Sequence, residues 1–185
     1  LIPLIPLIKK NLINHKNIII DSKSGYSGAG RKIHKLYKNK NLYESLSVYG
    51  IKSHRHNSEI QQELNSNTNK KVEFTFTPHI SPMFRGILST IYIDINKNVT
   101  SKIIYRYLKK YYKNEKFIKI SKLNSPLSTN NVINTNRCDL SVCDSKKENK
   151  IVILSAIDNL IKGGSGQALQ NLNIKFNFDE TLGLI

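Results

Sequence analysis

Residues 86–95, Gly-Ile-Leu-Ser-Thr-Ile-Tyr-Ile-Asp-Ile, read as one long β run dominated by β-branched and aromatic side chains. A strand of that length needs partners, and the chain offers them at irregular intervals: 18–20, 48–51, 117–120, 137–142, 151–157, and the cleanly alternating 72–77. Helical patterns fall between them. Residues 1–14 read as a helix, with Pro3 and Pro6 confining regular turns to the part after Pro6. A second is expected to start at an Asn57 or Ser58 cap and run through Gln62 and Leu64, a third covers 100–113, and a fourth 159–171. Residues 21–31, 78–83 and 124–131 read as loops, and 146–150 as a hairpin turn. Irregular alternation with hairpin-like connections predicts an α+β fold: a mixed, mostly antiparallel sheet with helices on one face. Lys162-Gly-Gly-Ser-Gly-Gln167 lies inside an apparent helix rather than opening one after a strand, so it is not a dinucleotide fingerprint.

The 185 residues suit one domain of ordinary size. The single methionine is Met83, and the chain opens on Leu1-Ile-Pro-Leu-Ile-Pro-Leu-Ile8, which we read as a piece cut from a longer protein. This opening lacks the basic region and small-residue cleavage site of a signal peptide, and no apolar run is long enough to cross a bilayer, so a soluble protein is expected. The net charge of +16 has two readings: an electrostatic footprint for nucleic acid, or the Lys, Asn and Ile bias of an A/T-rich coding sequence. The lysines are scattered, and the densest basic stretch, 102–122, carries the apolar stripe Ile104, Tyr107, Leu108, Tyr111 of an amphipathic helix. We therefore expect no nucleic-acid partner. Cys138 and Cys143 lie five apart in strand-like sequence, on opposite faces, too few for a disulfide framework and without metal spacing, which fits a reducing cytoplasm.

Chemistry concentrates in His54-Arg-His-Asn-Ser-Glu59, where two imidazoles, a guanidinium and a carboxylate fall within six residues. His79 and Arg85 share a second dense segment, Thr77-Pro-His-Ile-Ser-Pro-Met-Phe-Arg-Gly86. Histidine transfers protons near neutral pH, and arginine forks onto carboxylates and phosphates. A metal would need His79 or Glu59 as a third ligand beside repelling Arg55 and Arg85, so an anionic substrate fits better and no metal is expected. The loop at 21–31 lacks the Gly-Lys-Ser/Thr ending of a P-loop, although its hydroxyls and backbone N–H groups suit an anion as well as they suit a connector.

Four ordered segments carry a resemblance: Ser24-Gly-Tyr-Ser-Gly-Ala-Gly-Arg31, His54-Arg-His-Asn-Ser-Glu-Ile60 with Gln62, Phe76-Thr-Pro-His-Ile-Ser-Pro-Met-Phe-Arg-Gly-Ile87, and Asp158-Asn-Leu-Ile-Lys-Gly-Gly-Ser-Gly-Gln-Ala-Leu-Gln-Asn171. Together with Asp179-Glu-Thr-Leu-Gly-Leu184 they resemble the N-acetyl-gamma-glutamyl-phosphate reductase family over nearly the whole chain. Ser58 stands where the family usually has Pro, and Gly164-Ser165 where it usually has two alanines.

The resemblance implies a catalytic and dimerisation domain like the C-terminal domain of glyceraldehyde-3-phosphate dehydrogenase. It implies reduction of N-acetylglutamyl 5-phosphate to the 5-semialdehyde by NADPH in arginine biosynthesis. A cysteine thiolate attacks the acyl phosphate, phosphate leaves, and the thioester is reduced. The family's cysteine lies in a Gly-Cys-Tyr-Pro-Thr motif ahead of the segment resembling residues 1–7, so neither Cys138 nor Cys143 is assigned as nucleophile, and this chain alone is expected to be inactive. His54 is the first choice for acid/base partner and His56 the second. Arg31, Arg55, Arg85, Glu59, Ser24 and Ser27 are the candidates for substrate contact. Asn159, Lys162, Gly163 and Gln167 are the candidates on the NADP side, the cofactor being held mainly by a separate nucleotide-binding domain. Residues 1–157 would form the substrate-binding and dimerisation domain, 158–185 a helix and tail docking on the nucleotide domain, and the whole a homo-oligomer, dimer or tetramer. A related semialdehyde dehydrogenase is the alternative within the class, and a basic nucleic-acid-binding module the alternative outside it.

Overall fold

The computed structural model describes residues 1–28 and 42–185. In chain order the elements are α1 (Leu4–Lys9), β1 (Ile18–Gly25), β2 (Ser47–Val48), α2 (His56–Ser66), β3 (Phe74–Ser81), β4 (Ile87–Asp94), α3 (Ser101–Tyr111), β5 (Ile118–Ile120), β6 (Cys138–Asp144), β7 (Lys150–Ile157) and α4 (Gly166–Lys175), the last entered through a π-turn at Ile161–Ser165. The strands form one seven-stranded sheet in the order β2-β3-β1-β4-β7-β6-β5. Only β1 with β3 and β5 with β6 run parallel; the other four neighbouring pairs are antiparallel. The mixed, mostly antiparallel sheet is as the sequence pattern predicts.

Register explains the core. Ile20 pairs with Ile91, Ile91 with Ile153, and Ile153 with Val142, so one buried aliphatic row crosses four strands. Leu4, Leu7 and Ile8 of α1, Leu64 of α2, and Ile104 and Leu108 of α3 pack on that face. The next row along the same face reads differently: Ser22 pairs with Ser89, and Ser89 with Ser155. The Ser22 and Ser89 hydroxyls bond at 2.7 Å. The face therefore turns from isoleucine to serine as it leaves the helices. The opposite face alternates with it and carries Ile19, Tyr92 and Val152 in register, the first two exposed.

Several boundaries differ from the sequence pattern. α1 starts before Pro6, because a proline in the first helical turn removes an N–H that has no partner there. α2 starts at His56 without a side-chain cap, and Ser58 Oγ instead donates to the Arg55 carbonyl at 3.2 Å. The segment 78–81 is strand, not loop: β2 leaves Pro78 only an acceptor's task, and its carbonyl takes the Tyr49 N–H at 3.1 Å. β2 ends early, at Val48, where the chain turns at Gly50 with φ +58°. The final helix is broken at Gly164, which leaves helical geometry (φ −155°, ψ −111°), in keeping with the weak helix propensity of the Gly163-Gly164 pair. α3 buries Ile104 and Leu108 as its stripe predicts, while Tyr111 is exposed.

The Thr100 side chain caps α3, accepting the Ile103 N–H at 3.3 Å from an extended backbone. Thr100→Ala is expected to lower stability by about 1 kcal/mol, read from urea unfolding. Among the described residues, all seven non-glycine positions with positive φ are asparagines: 11, 17, 98, 124, 134, 149 and 177. No helix among them is long and apolar enough to cross a membrane.

Candidate active site

The serine row floors a cleft of about 380 Å³. Ser22, Ser24, Ser89 and Ser155 lie along its base with Cys138. Ile20, Ile91, Ile157 and Phe76 give it apolar sides. Residues 1–3 line it at one end, where the Ile2 carbonyl accepts the Tyr112 hydroxyl at 2.5 Å. His54, Arg55 and His56 line it from the turn that enters α2.

That turn is fixed locally. The His54 N–H donates to the Gly50 carbonyl at 2.9 Å. The His54 ring sits edge-on to Phe76 and His56 and tilted against Tyr49, with centroids 5.2, 4.9 and 5.3 Å away. His54 Nδ1 accepts the backbone N–H of His56 at 3.2 Å. An accepting Nδ1 carries no proton, so the neutral ring holds its N–H on Nε2. Burial pushes the imidazole pKa down, His56 and Arg55 push it further the same way, and Glu59 opposes them. His54 is thus a neutral ring near pH 7, with one N–H donor in a fixed tautomer. It can donate to developing negative charge, and it lies beside a guanidinium that can hold an anion.

The other sequence candidates divide by position. Ser24, Asn159 and Gly163 line the cleft with His54, Arg55 and His56. Glu59 lies behind His56, its carboxylate 4.0 Å from Nε2, and is largely exposed. Ser27 is buried and accepts the Asn159 amide at 2.9 Å, while Asn159 Oδ1 takes the Gly86 N–H at 2.7 Å, so Asn159 ties the end of β1 to the start of β4. Gly25 permits this approach: a Cβ there would stand 2.5 Å from the Phe84 carbonyl oxygen. Arg85 does not line the cleft; its guanidinium bonds Asn134 at 2.9 Å and Asp158 at 3.3 Å. Lys162 is buried, with its ammonium on Gln170 at 2.6 Å and over the Phe117 ring at 5.5 Å, and burial lowers its pKa. Gln167 bonds Asn171 on the surface of α4. Arg31 lies outside the described residues.

His79 is on the wrong face for the site. It follows Pro78 in a strand, so it points away from the cleft, and it lies 3.2 Å from Asp21. No cluster of three metal-ligating side chains occurs among the described residues. Cys138 does reach the cleft, 3.5 Å from Ser155 Oγ, but burial pushes its thiol pKa up, which is opposite to what a nucleophile needs. Tyr49, Phe76, Cys138, Ser89, Ser155 and residues 1–3 were not identifiable from sequence, because strand register assembles them from distant segments. Ser89, small and polar inside the long β run, was the one available signal; Ser22 falls in 21–31, read from sequence as loop, whereas β1 continues as strand to Gly25.

A family model described as "Semialdehyde dehydrogenase, dimerisation domain" matches residues 1–159. The probable chloroplastic N-acetyl-gamma-glutamyl-phosphate reductase of Arabidopsis thaliana is 46% identical over 188 aligned residues, which are 100% of this chain and 46% of that protein. The enzyme of the same name from Staphylococcus saprophyticus is 42% identical over 100% of this chain and 54% of its own length. The chain thus spans about half the length of the curated relatives it matches. Among solved structures, aspartate semialdehyde dehydrogenase II from Vibrio cholerae superposes with a TM-score of 0.72 over 94% of this chain and 58% of that one, at 12% identity. The aspartate semialdehyde dehydrogenase of Francisella tularensis gives 0.72 over 94% and 60%, at 14% identity. These last two speak for the fold, which is that of a semialdehyde dehydrogenase domain. Matched over residues 1–159, the chain belongs to the semialdehyde dehydrogenase dimerisation-domain family, and its whole length is similar to about half of enzymes named N-acetyl-gamma-glutamyl-phosphate reductase.

Proposed function

We propose that this chain is the substrate-binding half of an NADPH-dependent oxidoreductase that converts N-acetylglutamyl 5-phosphate to the 5-semialdehyde and phosphate. The observation that carries the reading is the cleft itself, whose walls His54, Arg55 and His56 share with residues 1–3. A cysteine borne on chain upstream of Leu1 would enter beside the His54 ring. Its thiolate would attack the acyl carbon and expel phosphate, Arg55 would hold the anionic group, and the Nε2–H of His54 would donate to the charge that develops on oxygen. Bound NADPH would supply the hydride that reduces the resulting thioester.

The chain's own offering to that cofactor is small. Gly163 has room beside it, the nearest atom to an added Cβ being 3.4 Å away, and with Asn159 it forms the wall where a nicotinamide edge could approach. Lys162 and Gln167 are committed elsewhere, so the main cofactor contacts belong to another domain. Leu172, Ile174, Phe176, Phe178 and Leu182 form an exposed apolar surface suited to docking that domain. Ile19 and Tyr92 on the open sheet face suit a homo-oligomeric contact. Two free cysteines fit a reducing compartment such as the cytoplasm; the Arabidopsis relative is named as chloroplastic.

The test is NADPH oxidation with N-acetylglutamyl phosphate. Turnover is expected from the protein that carries this chain together with its nucleotide-binding domain, and none from these 185 residues alone. Failure of the first overturns the substrate assignment, and turnover by the second overturns the half-site reading.

A further inference from the structure

At the other end of α1 from the cleft, two adjoining hollows of about 520 and 490 Å³ share Asn11, His15 and Lys70 as their common wall. Lys9 borders one, Lys16 and Lys71 border the other, and no Asp or Glu among the described residues lines either. His15 is only 6% exposed, yet both its ring nitrogens lack a hydrogen-bond partner. A neutral imidazole always has one donor and one acceptor, so both are buried unmet, which is rare in a folded protein. The backbone around it is firmly held. The His15 carbonyl accepts the Glu73 N–H at 2.8 Å, and the Asn14 N–H donates to the Asp94 carbonyl at 2.8 Å. Lys70 shares both hollows with His15, its ammonium on Asn11 Oδ1 at 3.2 Å.

We propose that this basic groove binds a small tetrahedral oxyanion, free or as the head group of a small phosphorylated molecule, between the Lys70 ammonium and the His15 ring. Lys9 and Lys16 add positive charge at the rim, and the Asn69 side chain lines the same hollow as Lys9. The nearby carboxylates are already engaged: Glu73 pairs with Lys71 at 3.4 Å and Asp94 with Lys150 at 2.6 Å. Burial lowers the pKa of His15, and the Lys70 charge lowers it further. An anion on Lys70 cancels that second effect, so binding should raise the His15 pKa, and protonation of His15 should tighten binding. The charged groups that share a hollow with the ring are Lys9 from α1, Lys16 from the approach to β1, and Lys70 and Lys71 from the approach to β3.

Sulfate is the probe of choice because it does not titrate near neutral pH. The His15 ring resonance, identified with a His15→Gln variant, is followed by NMR in the chain as it stands. Millimolar sulfate is expected to raise the His15 pKa, and sodium chloride at equal ionic strength is not. Lys70→Gln, a surface change that keeps a partner for Asn11, should raise the His15 pKa without sulfate and weaken sulfate binding about tenfold or more. Inorganic phosphate and glycerol phosphate, compared at equal ionic strength, then tell the free from the esterified ligand by which binds more tightly. No movement with sulfate, an equal movement with chloride, or undiminished binding in Lys70→Gln overturns the proposal.

Discussion

Replacing His54 by alanine in the intact protein is expected to lower kcat by roughly a hundredfold or more, with the fold unchanged. The ring is half-buried and held by contacts with Tyr49, Phe76 and His56 rather than by any core role, so its loss removes a donor and little packing. The pH profile separates this role from a structural one. Burial, followed by the influence of His56 and Arg55, holds the imidazole pKa below its usual 6.5. A wild-type limb that reports this titration should therefore lie below pH 6.5, and it should vanish in the alanine variant. Wild-type kcat in His54→Ala would sink the assignment. His56, at the exposed start of α2, is expected to matter less.

Asp158→Ala should be the most damaging single change to stability, at about 3–5 kcal/mol in urea unfolding. The Asp158 side chain is fully buried. Its Oδ1 accepts the N–H groups of Leu160 and Ile161 at 2.8 and 3.2 Å, and its Oδ2 accepts Asn134 N–H at 2.8 Å and Arg85 at 3.3 Å. Alanine leaves three backbone donors and a guanidinium without their acceptor, at the point where the chain turns from β7 toward the cleft wall. Burial would raise the carboxyl pKa, but these four donors outweigh it and hold the pKa below the ordinary 3.8. A depressed folded-state pKa means that the stabilisation is present above pH 3.8 and fades as pH falls through the folded value. The gap between wild type and Asp158→Ala should therefore shrink in acid. A variant less than 1 kcal/mol weaker at pH 7 would show that the four bonds are dispensable.

The Asp158 network also marks where sequence reasoning runs out. Alternation and β-branching made the strands of the sheet legible, and charge with apolar spacing did the same for α3. Strand order was not legible, since the pairing of β1 with both β3 and β4 depends on contacts far apart in sequence. His54, Arg55 and His56 were recognisable because they are contiguous. Arg85 and Lys162 looked equally available, yet Arg85 is held by Asp158, 73 positions away, and Lys162 by Gln170 on the far side of the break at Gly164. His79 misled because Pro78 reads as a loop signal, whereas a two-residue neighbouring strand asks nothing of the missing N–H. His15 carried no signal at all: a lone histidine between two apolar stretches becomes informative only when its ring is found enclosed and unpaired.

The seven left-handed asparagines among the described residues have a chemical consequence. Glycine usually meets two needs at once, a free φ and the absence of a Cβ. Here glycine takes the left-handed positions 50, 86 and 183, and of these only Gly86 would bring an added Cβ into collision, 2.6 Å from Thr129; asparagine takes the rest. Asparagine is among the thermolabile residues. Each side-chain amide lost by hydrolysis becomes a carboxylate, so ageing at these turns would draw the net charge down from +16 one unit at a time. A preparation that drifts toward acidic forms on storage is then recording the wear of its turns, while the isoleucine rows beneath them stay intact.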